Sequence, residues 1–132
     1  MSQIQCIVVT PETTVLEQPV EFVALPLFDG ELGILPGHAP LIGRLGYGEL
    51  RLKNAGVTEH FYVDGGFVQV ANNVVSVLTN KAVAVTKLDA AAATAQLEEA
   101  RHRKADTPEL LAIRERLELQ ARAQLRLAAK AH

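Results

Sequence analysis

Valine last occurs at Val85, glycine at Gly66 and an aromatic ring at Phe67; the 46 residues from Lys87 onward use none of the three and carry 13 alanines. Valine, phenylalanine and tyrosine suit the pleated, half-buried surface of a strand, whereas alanine, leucine, glutamate, arginine and glutamine suit a helix. The chain therefore reads as a β domain over residues 1–86 and a helical segment over residues 87–132, with the boundary between Thr86 and Asp89. Charge divides at the same place. Residues 1–86 hold 4 basic and 8 acidic side chains, a net of −4, and residues 87–132 hold 9 basic and 7 acidic, a net of +2.

Within the first part, residues 3–10 alternate with Ile4, Cys6 and Val8 on one face, as in a half-buried strand. Short strands follow around residues 14–16, 20–27 and 31–35. Pro26 points to an edge position or a bulge, because proline cannot donate to a ladder. Gly43, Gly46 and Gly48 suggest a glycine-rich turn into a strand over residues 49–53. Asn54-Ala55-Gly56 forms a hairpin loop into residues 57–63, and Asp64-Gly65-Gly66 suggests a further turn into residues 67–71. Asn72-Asn73, both tolerant of left-handed geometry, form a two-residue hairpin turn into residues 74–79. A last strand covers residues 82–85. Nine or ten short strands between compact turns imply an antiparallel sandwich or barrel.

In the second part Asp89 is the N-cap of a helix over residues 90–104, whose apolar side is Ala93, Leu97 and Ala100. Asp106-Thr107-Pro108-Glu109 restarts a helix, either with Thr107 as cap and Pro108 in the first turn or as a capping box from Asp106 to Glu109. Leu110, Ile113, Leu117, Ala121, Leu125 and Ala128 form its stripe, opposite Glu115, Glu118, Arg122 and Arg126. The short break implies an antiparallel hairpin. Leu111, Leu119 and Leu127 fall off the stripe, leaving apolar surface for something else to cover.

A catalytic constellation is missing. His38, His60, His102 and His132 lack metal-ligand spacing, and Cys6 is the one cysteine, a small core residue that fits a reducing compartment. Residues 43–49 resemble a phosphate loop but have Glu49 where a lysine belongs, and the dinucleotide fingerprint lacks its third glycine. Ser2 and Ser76, the two serines, sit in no nucleophile elbow. The N-terminus shows neither a basic leader nor an apolar core, residues 65–80 are too short to span a membrane, and the net charge of −2 argues against a nucleic-acid binder.

Residues 29–41, DGELGILPGHAPL, stand apart. An Asp29-Gly30 turn leads through a short apolar strand into a stiff corner, Pro36-Gly37-His38-Ala39-Pro40, in which the prolines restrict φ and Gly37 supplies a positive one. Such a corner gives a surface of fixed shape. His38 reads as a loop histidine bonded to its neighbours, and Glu31 as a solvated strand-edge charge.

GELGILPGHAPL (residues 30–41), GGFVQV (65–70) followed by VSVLT (75–79), and the capped Ala-rich hairpin occur in the order seen in the epsilon subunit of bacterial and chloroplast F-type ATP synthases. The chain resembles that family over essentially its whole length. The resemblance implies a ten-stranded β-sandwich followed by two antiparallel helices. It also implies a non-catalytic rotor component at the foot of the central stalk, coupling rotation of the c-ring to the catalytic head of a proton-translocating synthase. The turn of Asp29, Gly30, Glu31, Leu32 and Gly33 would face the ring, with His38 near the gamma subunit. When the hairpin extends, Arg114, Arg116, Arg122, Arg126 and Lys130 would meet acidic residues of the beta subunit and inhibit ATP hydrolysis. Membrane association would come only through the complex, on the cytoplasmic face of the bacterial inner membrane or the stromal face of the plastid thylakoid.

Some members of that family bind ATP through a motif Ile/Leu-Asp-x-x-Arg-Ala. Here the matching residues are Leu88, Asp89, Ala90, Ala91, Ala92 and Ala93, so alanine stands in the arginine position. With Arg122 and Arg126 as the remaining cations, weak or no ATP binding is expected, and no other cofactor or metal. The alternative from another class is a free-standing β-sandwich adaptor that docks a different partner through its hairpin; a third is a small enzyme with an unfamiliar site.

Overall fold

The computed structural model describes residues 3–131. Ser2 and His132, weighed above as nucleophile and ligand, lie outside them. Two compact units meet between Ala84 and Val85.

The first unit has eight strands: β1 (Ile4–Val9), β2 (Thr14–Val20), β3 (Phe22–Leu27), β4 (Gly30–Ile34), β5 (Leu41–Asn54), β6 (Val57–Ala71), β7 (Val74–Leu78) and β8 (Ala82–Ala84). They are hydrogen-bonded in the order β2-β1-β7-β6-β5-β3-β4, with β8 also on β6. The long strands β5 and β6 pair in one unbroken register from Leu41↔Val70 to Asn54↔Val57. Their turn is Ala55-Gly56, with φ of 53° and 80°, a tight hairpin whose two positive φ values match the twist of the strands. The second half of β6 carries β7, which carries β1 and then β2. The first half of β6 carries β8, and the second half of β5 carries β3 and then β4. The two layers of the sandwich are thus joined through β5 and β6 themselves.

Alternation supplies the core. Ile4, Cys6, Val8, Val68, Val70, Val75 and Val77 from one layer meet Val23, Leu25, Leu50, Leu52 and Val63 from the other, none more than 2% exposed. Each such side chain contributes about 1.5–3 kcal/mol by leaving water. Burial pushes the Cys6 thiol up to about 12, so it stays a neutral packing group. Between β2 and β6, Gln18 Nε2 donates to Glu59 Oε1 at 2.8 Å, linking the layers at one edge.

Several expectations are corrected here. The strands number eight, not ten, because two runs of glycine lie inside strands instead of in turns. Gly43, Gly46 and Gly48 belong to β5, where Leu27 and Pro26 pack directly onto them. Gly65 and Gly66 belong to β6 with φ of 69° and 104°, which lets that strand pass from one layer to the other without losing its register to β5. Cutting both long strands at these glycines would give ten segments. The sheet is also not wholly antiparallel, since β1 runs parallel to β7 from Gln5↔Val74 to Val9↔Leu78. That pairing joins residues nearly seventy apart (~70, counted from the register) and leaves no local signal. The turn before β4 is Phe28-Asp29, one residue earlier than expected, because Leu27 pairs with Gly30.

Beside Gly66, residues 79–81 leave the ladder between β7 and β8 with their polar groups satisfied. The Asp64 amide donates to the Lys81 carbonyl at 3.1 Å and to Thr79 Oγ1 at 2.9 Å. Asn80 Nδ2 donates to the Asp64 carbonyl, and the buried Tyr62 hydroxyl donates to Asp64 Oδ1 at 2.6 Å.

The second unit starts with a 3-10 turn, Val85–Lys87, and continues as α1 (Ala90–Arg101) and α2 (Pro108–Ala131). Asp89 Oδ1 accepts from the Ala91 and Ala92 amides, and Thr107 Oγ1 from the Leu110 amide, so both caps form as read from the residues. Helix α1 stops at Arg101, three residues before the expected Lys104, with His102 and Arg103 amides turning back onto Glu99 and Ala100 carbonyls. The helices run antiparallel, and Gln96 Nε2 donates to the Leu117 carbonyl at 2.9 Å. Ala93, Leu97, Ala100, Ala121 and Ala128 are buried as expected. Leu127, off the stripe, is buried too, with Ala123, while Leu111 and Leu119 are exposed.

A Cβ at residue 66 would overlap the Leu78 carbonyl oxygen, at a φ that side chains avoid. Gly66→Ala is expected to lower the unfolding free energy by at least ~3 kcal/mol in urea titration.

Candidate functional site

The features singled out in residues 29–41 fall on two different parts of the sandwich. The Pro36-Gly37 corner is a tight turn, with the His38 amide donating to the Leu35 carbonyl at 3.2 Å and Gly37 at φ 85°, the geometry for which Pro-Gly is the favoured pair. His38 is half-buried, and its Nδ1–H donates to the Ala39 carbonyl at 2.8 Å, which leaves Nε2 as the outward nitrogen. The corner feeds straight into Leu41 and hence into the first half of β5.

Further along the same half-strand lies the β3–β4 turn. The Phe28 amide donates to the Arg44 carbonyl at 2.8 Å, and the Arg44 guanidinium lies over the Phe28 ring at 4.2 Å. Corner and turn are therefore held near opposite ends of residues 41–44, a span of about 10 Å at strand rise.

Between them the outer face of this layer carries large apolar side chains among Arg44, Gln69 and Ser76. Arg44 pairs with Phe67, Phe67 with Leu78, and Leu78 with Val9, so these four lie in a row across β5, β6, β7 and β1. Ile42 lies two residues along on the same face. Phe28, Ile42, Phe67 and Leu78 are 60%, 76%, 60% and 53% exposed. Large apolar side chains gathered on one sheet face, beside a rigid corner, form a surface suited to a protein partner. Sequence reasoning missed them: in FVQV and VSVL both alternate sets contain apolar residues, so pattern alone does not say which set faces out.

Glu31 lies on β4, at the edge of the other layer. It is exposed at the strand edge, as expected, and it is also ion-paired. Arg51 grips it with two nitrogens, at 2.7 and 2.9 Å, while also reaching Glu49 at 3.3 Å. His60 Nδ1 meets the other oxygen of Glu49 at 3.1 Å. The hydrogen bond to Glu31 raises the Arg51 pKa, so the guanidinium is charged throughout. Asp29, Gly30 and Gly33 are exposed and Leu32 is half-buried along the same edge.

The cations of α2 are unequal. Glu118 accepts from Arg114 Nε at 3.0 Å and from Arg122 Nη2 at 3.4 Å, each four residues away, whereas Arg116, Arg126 and Lys130 have no ion pair among the described residues. Of the residues considered for ATP, Leu88 and Ala93 are buried and Asp89 is engaged as the cap of α1. Among the described residues no group of His, Cys, Asp and Glu could hold a metal ion.

The fold defines a class: a β-sandwich domain followed by a helical hairpin. The profile described as ATP synthase, Delta/Epsilon chain, beta-sandwich domain, matches residues 3–85. An ATP synthase epsilon chain from Rhodopirellula baltica is 52% identical over 93% of this chain and 96% of its own length. One from Carboxydothermus hydrogenoformans is 47% identical over 73% and 72%. Among solved structures, a chain in the cryo-EM structure of Euglena gracilis mitochondrial ATP synthase, OSCP/F1/c-ring, superposes with a TM-score of 0.80 at 27% identity, covering 100% of this chain and 83% of that one. The chain belongs to the ATP synthase delta/epsilon family and serves as a non-catalytic central-stalk subunit of the F1 part.

The Arg51–Glu31 pair is partly exposed, so its contribution is modest. Arg51→Gln is expected to lower the unfolding free energy by about 0.5–1 kcal/mol at low salt, with the loss shrinking in high salt when denaturant titrations are compared.

Proposed function

We propose that the outer face of the first layer, with Phe28, Ile42, Phe67 and Leu78, is the surface that packs on the gamma subunit, with His38 at its margin. The exposed apolar row carries this reading, because a stalk subunit that turns as one body with its neighbour needs a water-excluding contact. The turn and edge of Asp29, Gly30, Glu31, Leu32 and Gly33 would face the polar loops of the c-ring, coupling its rotation to the catalytic head. The similar chain belongs to an assembly that holds F1 together with a c-ring, which supports placing this protein in such a complex. The protein would then act on the cytoplasmic face of a bacterial inner membrane, held there by the complex; among the described residues no helix is long and apolar enough to cross a membrane.

The hairpin would inhibit ATP hydrolysis by offering its basic second helix to acidic residues of the beta subunit. Arg116, Arg126 and Lys130 would make first contact, since Arg114 and Arg122 share Glu118.

Phe67→Ser is expected to weaken binding to the gamma subunit about tenfold or more in calorimetry, as removal of a buried interface anchor does. Deletion of residues 87–132 is expected to raise ATP hydrolysis by the assembled complex. Unchanged affinity in Phe67→Ser would remove this face from the interface, and a parent chain with no affinity for the gamma subunit would instead favour the free-standing adaptor.

With Ala92 in place of the motif arginine, the isolated subunit is proposed to bind ATP weakly or not at all. Titration with ATP in the low-micromolar range should leave the backbone amide shifts near Leu88 and Arg126 unmoved, and saturable binding there would refute this.

A further inference from the structure

The stiff corner is tied to a distant turn. The Gly37 amide donates to Asn73 Oδ1 at 2.6 Å, across 36 residues of chain. The carbonyl of the same asparagine accepts from the Gln5 amide at 2.9 Å, at the start of β1. Asn73 belongs to the two-residue turn between β6 and β7, where Asn72 and Asn73 have φ of 53° and 61°.

That turn does not need this side chain. Both central residues of such a hairpin require positive φ, and glycine is the preferred occupant of the second position; asparagine is tolerated there at a small conformational cost. The cost is offset only if the amide is used, and its oxygen is used on Gly37. Within the corner the His38 amide donates to the Leu35 carbonyl and the His38 ring to the Ala39 carbonyl, and neither bond reaches another strand. The prolines restrict its shape but not its tilt relative to β5.

We infer that Asn73 is the positioning residue of the docking corner: it holds the Pro36-Gly37-His38 turn against the end of the first layer, so that the corner meets the stalk partner already in place. The inference rests on the proposed docking of this face to the gamma subunit. A preformed surface binds more tightly because less ordering is left to the binding step.

Two substitutions in the full-length chain separate positioning from folding. N73G creates Asn-Gly, the pair this turn favours, and removes the oxygen; N73D keeps an oxygen at the same place. In N73G the thermal midpoint should stay or rise, while water exchange of the Gly37 amide, read by NMR against the His38 amide, should quicken about fivefold, as expected for loss of one net hydrogen bond. N73D should stay within about twofold of the parent, and calorimetric affinity for the gamma subunit should fall about threefold to tenfold in N73G alone. Unchanged Gly37 exchange in N73G overturns the anchor. Quicker exchange with undiminished affinity overturns its role in docking. If the parent chain does not bind gamma at all, the docking reading fails, and the exchange measurement still decides whether Asn73 holds the corner.

Discussion

Both layers of the sandwich hang on the single ladder between β5 and β6. Every other strand reaches the fold through one half or the other of this pair, so its register decides which side chains enter the core. A slip of one residue would exchange Leu45 and Val68 for Arg44 and Phe67, burying a guanidinium and exposing the core. The tight Ala55-Gly56 turn sets that register at one end. Gly65 and Gly66 preserve it through the crossing between layers, where a side chain at residue 66 would strike the Leu78 carbonyl. This register also puts Ile42, Phe67 and Leu78 on the outside.

A surface that must turn with its neighbour has to combine fixed shape with exposed apolar area, and the two are supplied by different devices. Shape comes from backbone restriction at Pro36-Gly37 and from short bonds to the chain on either side. Apolar area comes from side chains that the local pattern would equally have allowed inside. The charged edge works differently. Glu31 is presented as one half of a bidentate pair, so its direction is set by Arg51 and not by solvent. Any partner that takes up Glu31 meets a neutralised, oriented carboxylate.

The helical unit is held by small residues and caps, with limited apolar contact. Ala93, Ala100, Ala121 and Ala128 allow close approach of the helices but offer little area per residue. Its ion pairs join residues three or four apart and are exposed or partly exposed, each contributing only a few tenths of a kcal/mol. Such a hairpin is a modest structure energetically.

Local chemistry by itself determined the change from strands to helices after Val85, the Asp89 and Thr107 caps, the Pro36-Gly37 turn and the hairpin turn at Asn72-Asn73. These depend on φ preferences and on hydrogen bonds within a few residues, which the residues concerned carry wherever they stand. The tertiary structure alone decided that two runs of glycine lie inside long strands, that β1 runs parallel to β7, that Phe67 and Ile42 face out, and that Glu31 and Gly37 are held by Arg51 and Asn73. In each case the deciding partner lies roughly 10 to 70 residues away in sequence, and a glycine or an apolar residue is compatible with either outcome until that partner is in place.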